Sequence, residues 1–185
     1  MLPRANIIWS DRLDSTNKEA ARLLTEGRLS DKLSLIAAVE QTAGRGQGDH
    51  LWTSAPGENL TFSVVLRNPE FCDASSLSLI NDYVCPVITD FLRKEGVENS
   101  WIKAPNDIWV GDRKICGILI ENFILGGRVT ATIIGIGLNL KQKVWPSDLP
   151  NPVSLSELTG KNYDPREVLL RLAPEFESFP AGSPL

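Results

Sequence analysis

Apolar positions along the chain repeat with two different periods, and the switches between them divide the sequence into strands and helices. Residues 5–9 form a short apolar run that reads as an entering strand. Thr16-Asn17-Lys18-Glu19 has the spacing of a capping box, with the Thr16 hydroxyl and the Glu19 carboxylate closing the first turn of a helix. That helix is expected to end near Gly27, a residue type suited to the left-handed position after a C-terminus. Residues 33–39 and 59–66 are compact apolar strand candidates. Between them, residues 41–56 carry Gly44, Gly46, Gly48 and Pro56 with almost no apolar periodicity, and read as a loop. A structureless segment of that length inside a compact domain is usually functional. Residues 75–94 place Leu77, Ile80, Val84, Val87, Ile88 and Phe91 at helical spacing, with an interruption or kink expected at Pro86. Gly111-Asp112 reads as a tight turn between two strands. Residues 115–125 and 129–138 are rich in β-branched side chains and are separated by Gly126-Gly127, a hairpin signal. Residues 165–176 set Val168, Leu169, Leu172 and Phe176 on one helical face. Such a mixture predicts an α+β domain built on a mixed, largely antiparallel sheet with flanking helices.

Composition narrows the picture. The chain has 185 residues, a length that suits one domain with its own core, and no internal repeat or low-complexity linker divides it. Hydrophobic residues make up 42% and charged residues 23%, which excludes disordered and collagen-like classes. The net charge of −4 argues against a general nucleic-acid binder, which normally carries a basic face. No stretch approaches the roughly 20 apolar residues of a membrane span, and no apolar signal core follows Met1-Leu2-Pro3-Arg4. The expectation is a cytoplasmic protein without nucleic-acid or membrane partners. Cys72, Cys85 and Cys116 are odd in number and lack CxxC or Cys/His spacing, so reduced, mostly buried thiols are expected rather than a metal site.

Four short segments carry candidate chemistry. In Gln41-Thr42-Ala43-Gly44-Arg45-Gly46-Gln47, alternating glycines let backbone N–H groups converge on an anion, and Arg45 can add a charged fork. The pattern is neither a Walker loop nor a dinucleotide fingerprint, and by itself it equally describes a flexible surface loop. Lys103-Ala104-Pro105-Asn106-Asp107 precedes Arg113-Lys114-Ile115-Cys116-Gly117 across the Gly111 turn. Pro105 keeps its predecessor extended, which puts Lys103 at a strand end, though Asn and Asp beside a proline are also ordinary turn formers. Gly135-Ile136-Gly137-Leu138-Asn139 has glycines inside a strand, which mark either a bulge or the close approach of a ligand. Asp14-Ser15-Thr16-Asn17 is at the least a helix cap.

Each of these signals is modest alone, but their order along the chain is specific. Asp14-Ser15-Thr16-Asn17, Glu40 to Gly46, Trp52-Thr53-Ser54-Ala55-Pro56-Gly57, Lys103 to Asp107, Lys114 to Glu121 and Gly135 to Asn139 together resemble the biotin protein ligase family over about residues 8–175. The resemblance implies a catalytic domain of the kind shared by biotin ligases and class II aminoacyl-tRNA synthetases. It implies two reactions: biotin and ATP give biotinyl-5′-AMP, and a lysine of a biotin carboxyl carrier protein then attacks that mixed anhydride. By the same resemblance, Lys114, Lys103 and Arg45 are the catalytic cations. Ser15, Thr16, Asn17, Gln41, Gly44, Arg45, Gly46, Gln47, Lys114 and Gly117 are expected to line the biotin pocket. Trp52, Lys103, Asn106, Asp107 and Asn139 are expected to serve ATP and the adenylate, with Asp107 on Mg²⁺. The acceptor carrier, ATP, Mg²⁺ and biotin are the implied partners, and a homodimer stays open. An N-terminal winged helix and a C-terminal β-barrel, found in some members, are not expected within residues 1–185. The alternatives are a lipoate ligase of the same fold and a non-catalytic biotin-binding protein. The Gln-Thr-Ala-Gly-Arg-Gly loop favours biotin over lipoate, and retention of both Lys103 and Lys114 speaks for an enzyme.

Two departures stand out: the family loop commonly continues with a second arginine where this chain has Gln47-Gly48-Asp49, and Ala104 replaces a usual tryptophan. An arginine on a phosphate contributes roughly 1.5–3 kcal/mol and a neutral amide about 1 kcal/mol. Gln47→Arg is therefore expected to slow loss of radiolabelled biotinyl-5′-AMP by about tenfold. An unchanged or faster dissociation rate would show that the missing arginine does not matter.

Overall fold

The computed structural model describes residues 5–29, 31–68, 78–149 and 151–177. Seven strands form one sheet: β1 (Asn6–Leu13), β2 (Leu33–Gln41), β3 (Leu60–Arg67), β4 (Ser100–Lys103), β5 (Asp107–Val110), β6 (Arg113–Leu125) and β7 (Arg128–Leu138). Their spatial order is β1-β2-β3-β7-β6-β5-β4. Only β1 and β2 run parallel, joined by the crossover helix α1 (Thr16–Thr25), and the remaining neighbours are antiparallel. Gly126 and Gly127 both hold positive φ, 58° and 78°, which is the geometry of a two-residue turn joining right-twisted strands.

Alternation along the central strands sorts the sheet into two faces. Leu35 and Ala37 of β2, Phe62, Val64 and Leu66 of β3, and Ile134, Ile136 and Leu138 of β7 belong to the larger core. The helices α2 (Ser78–Lys94) and α4 (Pro165–Glu177) cover that face, with Phe176 edge-on to Phe62 at 6.0 Å. Ile36, Val65 and Ile133 point the other way and pack against Ala20 and Leu23 of α1. On this second face α1 packs chiefly over β2, β3 and β7.

Local chemistry explains the helix ends. Asp164 caps α4, its carboxylate accepting from the N–H groups of Arg166 and Glu167. Gly27 ends α1 in the left-handed conformation, at φ 67°. The capping box expected at Thr16 and Glu19 does not form. Ser15 is the cap position, Glu19 pairs with Arg22 instead, and the Thr16 hydroxyl is drawn into the tertiary network described below. The reciprocal Ser–Glu motif occurs elsewhere: at the start of α3 (Leu155–Thr159), the Glu157 carboxylate accepts from both the N–H and the hydroxyl of Ser154. The helix α2 runs through Pro86 without interruption. Residues 75–77 of the expected helix, and Cys72, lie outside the described residues, whereas Cys85 and Cys116 are buried free thiols as expected.

One buried carboxylate ties the helical layer together. Glu95, just past the end of α2 and only 8% exposed, accepts from Arg171 of α4, from the Tyr163 hydroxyl at 3.0 Å and from Lys161 at 3.5 Å. Burial pushes this carboxyl upward, but the Arg171 and Tyr163 hydrogen bonds and the two positive charges outweigh it and leave it below the ordinary range. A carboxyl with a depressed folded value stabilises the fold above the unfolded value of about 4.3, and that contribution disappears as pH falls through the lower folded value. Glu95→Gln is expected to cost roughly 1–2 kcal/mol, discounted because Arg171 is half exposed and can rehydrate. Calorimetry should show a melting point lower by about 2–8 °C at pH 7. The gap between variant and wild type should close as pH falls below 4.

Candidate active site

The second face of the sheet changes character beyond the N-terminus of α1. Ile36, Val65 and Ile133 lie under the helix, but the next side-facing positions are Ser63, Gly135, Gly137 and Gly117, which are small or lack a side chain. This strip is a trough, and two side chains lie in it. A Cβ added to Gly135 would stand 2.4 Å from Asn17 Oδ1, and one added to Gly137 would stand 2.2 Å from Trp52 Cε2. The glycines expected from sequence to leave room for a ligand thus make room first for Asn17 and Trp52, and Gly117 for Trp52 and Lys114.

A hollow of about 260 Å³ opens above the trough. Of the residues expected from sequence to bind, Ser15, Thr16, Asn17, Gln41, Arg45, Gly46, Gln47, Trp52, Asn106, Asp107, Lys114 and Gly117 border it. At one end is an uncharged hydrogen-bond network. Gln41 Oε1 accepts from the Thr16 N–H at 2.7 Å and from its hydroxyl at 3.1 Å. The Ser63 hydroxyl, fully buried, lies 2.8 Å from Thr16 Oγ1 and 2.6 Å from Asn17 Oδ1. Two hydroxyl protons therefore serve three oxygen–oxygen contacts, and the network can accept one further N–H donor. Asn17 Nδ2 in turn donates to Glu121 Oε2 at 2.8 Å, and the other oxygen of Glu121 meets Arg45 Nη1 at 2.8 Å.

The opposite end carries charge. Lys114 Nζ and Asp107 Oδ1 are 2.8 Å apart, each about three-quarters buried, and Nζ also faces the Trp52 ring at 5.9 Å. Asn106 supports this corner: its amide donates to the Ile118 carbonyl, and its own carbonyl accepts from the Ile118 N–H at 3.1 Å. Lys103 is not brought into the hollow. It ends β4 as expected, but its Nζ rests on the face of Trp109 at 3.9 Å. Gly44 borders the hollow only through its neighbours; it is buried, with its carbonyl accepting the Trp52 N–H at 3.1 Å.

A second hollow of about 370 Å³ adjoins the first, and Trp52 and Lys114 border both. Its far wall is Trp145, Asp148, Leu149 and Pro152, from a segment that the sequence pattern left unassigned. Asn139 lies at its base, 3% exposed, with its amide donating to the Lys114 and Val153 carbonyls at 3.2 and 3.1 Å. Asn139 Oδ1, Trp52 Nε1 and Trp145 Nε1 are buried polar atoms without a partner. The segment 44–52 is not structureless, as its glycines suggested. Arg45 and Leu51 pair as an isolated antiparallel bridge, and the Gly46 N–H donates to the His50 carbonyl at 2.8 Å.

Sequence reasoning passed over Ser63, Glu121 and Trp145. A serine on β3 and a glutamate on β6 look like ordinary alternation, and only the pairing of those strands with β7 brings them beside Asn17. The arrangement contains no cysteine nucleophile: burial pushes the Cys116 thiol up strongly and the Cys85 thiol up to about 11. No three His, Cys, Asp or Glu side chains converge among the described residues, so Asp107 belongs to no such cluster. One carboxylate suits a hard cation that arrives on phosphates with its waters, not a protein-caged metal. No helix among the described residues is long and apolar enough to cross a membrane.

Residues 9–139 match the biotin/lipoate A/B protein ligase family. The chain is 32% identical over 177 residues to the bifunctional ligase/repressor BirA of Bacillus subtilis, covering 93% of this chain and 53% of that protein. It is 36% identical over 179 residues to the biotin--[acetyl-CoA-carboxylase] ligase of Paracoccus denitrificans, covering 92% of this chain and 71% of the relative. Among solved structures, the biotin protein ligase of Aquifex aeolicus in complex with biotin and ATP superposes with a TM-score of 0.75 at 30% identity, covering 94% of this chain and 69% of that one. The chain spans about half the length of the BirA proteins it matches.

Close packing in the trough makes a direct test. Gly137→Ala would drive a methyl into the Trp52 ring, displacing the indole and with it the Gly44–Trp52 contact. Denaturant unfolding should show a loss of about 1–3 kcal/mol, the usual cost of overpacking. A fully stable variant with an unshifted Trp52 would mean that the trough is looser than its distances indicate.

Proposed function

The chain belongs to the biotin/lipoate A/B protein ligase family, and from that membership we propose that it activates biotin with ATP and transfers it to a lysine of a biotin carboxyl carrier domain. One observation carries the reading: a single lysine, Lys114, borders both hollows at the wall they share. One hollow has a neutral hydrogen-bonding end leading to the charged corner at Lys114, and the other is flanked by tryptophans. A molecule with a polar ring and a carboxylate tail fits the first, and a nucleotide fits the second. Their reacting ends then meet at Lys114.

The ureido ring of biotin sits against Thr16, Asn17 and Gln41. One of its N–H groups donates to whichever oxygen the Ser63 proton leaves unserved, Thr16 Oγ1 or Asn17 Oδ1, and the Gln41 amide, with its oxygen already held, turns its NH₂ to the ureido oxygen. Adenine stacks in the second hollow beside Trp145 and Trp52, and Asn139 Oδ1 and the indole N–H groups are the polar atoms left to read it. A biotin carboxylate oxygen then forms a bond to the α-phosphorus as the bond to pyrophosphate breaks. Both reactants are anions, so the Lys114 ammonium lowers the barrier by lying between them in a site shielded by Trp52. Mg²⁺, entering on the triphosphate, would rest on Asp107 and neutralise phosphate charge. With Asp107 so engaged, Lys114 would be released from its 2.8 Å partner. In the second step, a carrier lysine amine attacks the biotinyl carbonyl, AMP leaves with the bonding pair, and the amine loses its proton. Lys103, resting on Trp109, is better placed for the outer phosphates than for the reacting carboxylate.

Pyrophosphate release with biotin and ATP tests the proposal, with lipoate as the comparison substrate. Release with lipoate alone would assign the chain to the other branch of the family, and release with neither would leave a binding protein. Lys114→Ala is expected to lower biotin-dependent release by about 10²–10³-fold while leaving the fold intact. A variant retaining most of its activity would remove Lys114 from its role.

A further inference from the structure

Glu121 and its partner Arg45 are the charged pair beside the neutral end of the first hollow, and the reaction just described uses neither. Glu121 lies on β6 one position along the site face from Leu119, which is paired with Gly135 under Asn17. Its two oxygens are divided between two elements: Oε2 accepts from Asn17 at the start of α1, and Oε1 meets Arg45 in the loop 44–52, each at 2.8 Å. Both consequences follow from hydrogen-bond direction. A carboxylate only accepts, so it fixes the Asn17 amide with its nitrogen toward β6 and its oxygen toward Ser63. Without it only the long 3.5 Å contact from Nδ2 to the Leu119 carbonyl would hold the amide against turning over, and with the amide turned the Ser63–Thr16–Gln41 contacts would lose their polarity. The same carboxylate draws Arg45 down onto the sheet, and the Arg45–Leu51 bridge passes that restraint to the rest of the loop.

We propose that Glu121 is a positioning residue that sets the polarity of the biotin pocket through Asn17 and holds the loop over it through Arg45. The proposal rests on the biotin-activating reading for its ligand but not for its loop contact. The two functions separate by substitution. Glu121→Gln keeps an oxygen for Asn17 and loses the charge for Arg45, whereas Glu121→Ala loses both.

The experiment compares the wild-type 185-residue chain and both variants by trypsin cutting at the Arg45–Gly46 bond, biotin calorimetry and biotin-dependent pyrophosphate release. Without ligand, Glu121→Gln should be cut about two- to fivefold faster than wild type, the range that a partly exposed ion pair supports. At about 1 M salt, where screening is nearly complete, wild type should approach the variant while the variant barely changes. A merely structural defect would not give that salt dependence. Glu121→Gln should bind biotin within about twofold of wild type. Glu121→Ala should bind it about tenfold or more weakly, with the biotin KM rising further than kcat falls, as expected for a lost buried hydrogen bond. Equal cutting of wild type and Glu121→Gln at both salt concentrations overturns the loop half, and undiminished biotin affinity in Glu121→Ala overturns the pocket half. Should Glu121→Ala not fold, a Glu121→Gln biotin affinity weakened as much as tenfold overturns the division of labour. Wild type that neither binds biotin nor releases pyrophosphate overturns the activity reading and the pocket half with it, while the cutting comparison still decides the loop half.

Discussion

A seven-stranded sheet has two faces to cover, and the helices among the described residues cover one and part of the other. On the first face α2 and α4 lie over an unbroken apolar layer. On the second, α1 spans three strands and stops. Beyond its N-terminus the strands carry Ser63, Gly117, Gly135 and Gly137 beside Leu119, so little apolar side chain is left for water to meet. The cavity exists because of those small residues. Its depth comes from absent side chains and its rim from the start of α1, the loop 44–52 and the turn before β5.

Cations and carboxylates in the cavity are matched in pairs. Arg45 meets Glu121 and Lys114 meets Asp107, each at 2.8 Å and each partly open to solvent. Pairs in such surroundings are individually weak, which allows an incoming anion to exchange with the carboxylate. A deeply buried pair would hold its lysine too firmly, and an unpaired lysine in a closing pocket would resist desolvation. The neutral end works differently. Gln41, Thr16, Ser63 and Asn17 contribute no net charge, and their selectivity comes from the direction of each proton.

Much of the fold could be read from the sequence because its periods are local. The hairpin at Gly126-Gly127, the apolar stripe of α4 and the glycine that ends α1 each depend on a few neighbouring residues. The cap of α1 was misread for the opposite reason: the Thr16 hydroxyl is claimed by Gln41, 25 positions away, and tertiary contact overrides a local motif. The second hollow was invisible because its wall residues, Trp145, Asp148, Leu149 and Pro152, follow no periodicity and acquire meaning only when the Lys114–Pro152 bridge brings them beside the sheet. The ordered motifs located most of the first hollow. They could not show that Lys103 rests on Trp109, or that Asn139 spends its amide on two carbonyls, because both depend on side-chain directions that spacing does not encode.

The indole of Trp52 lies in the groove left by Gly117 and Gly137, so the large residue and the small ones occupy a single shared volume. Change at any one of these positions is penalised separately: a methyl on either glycine collides, and a smaller residue at 52 leaves a hole beside Lys114. A compensated exchange, with bulk added to the floor and removed from the ring, meets neither obstacle. Divergence in this part of the pocket is therefore constrained to concerted steps across two strands and a loop, and a lone substitution here says little about what the altered site could become.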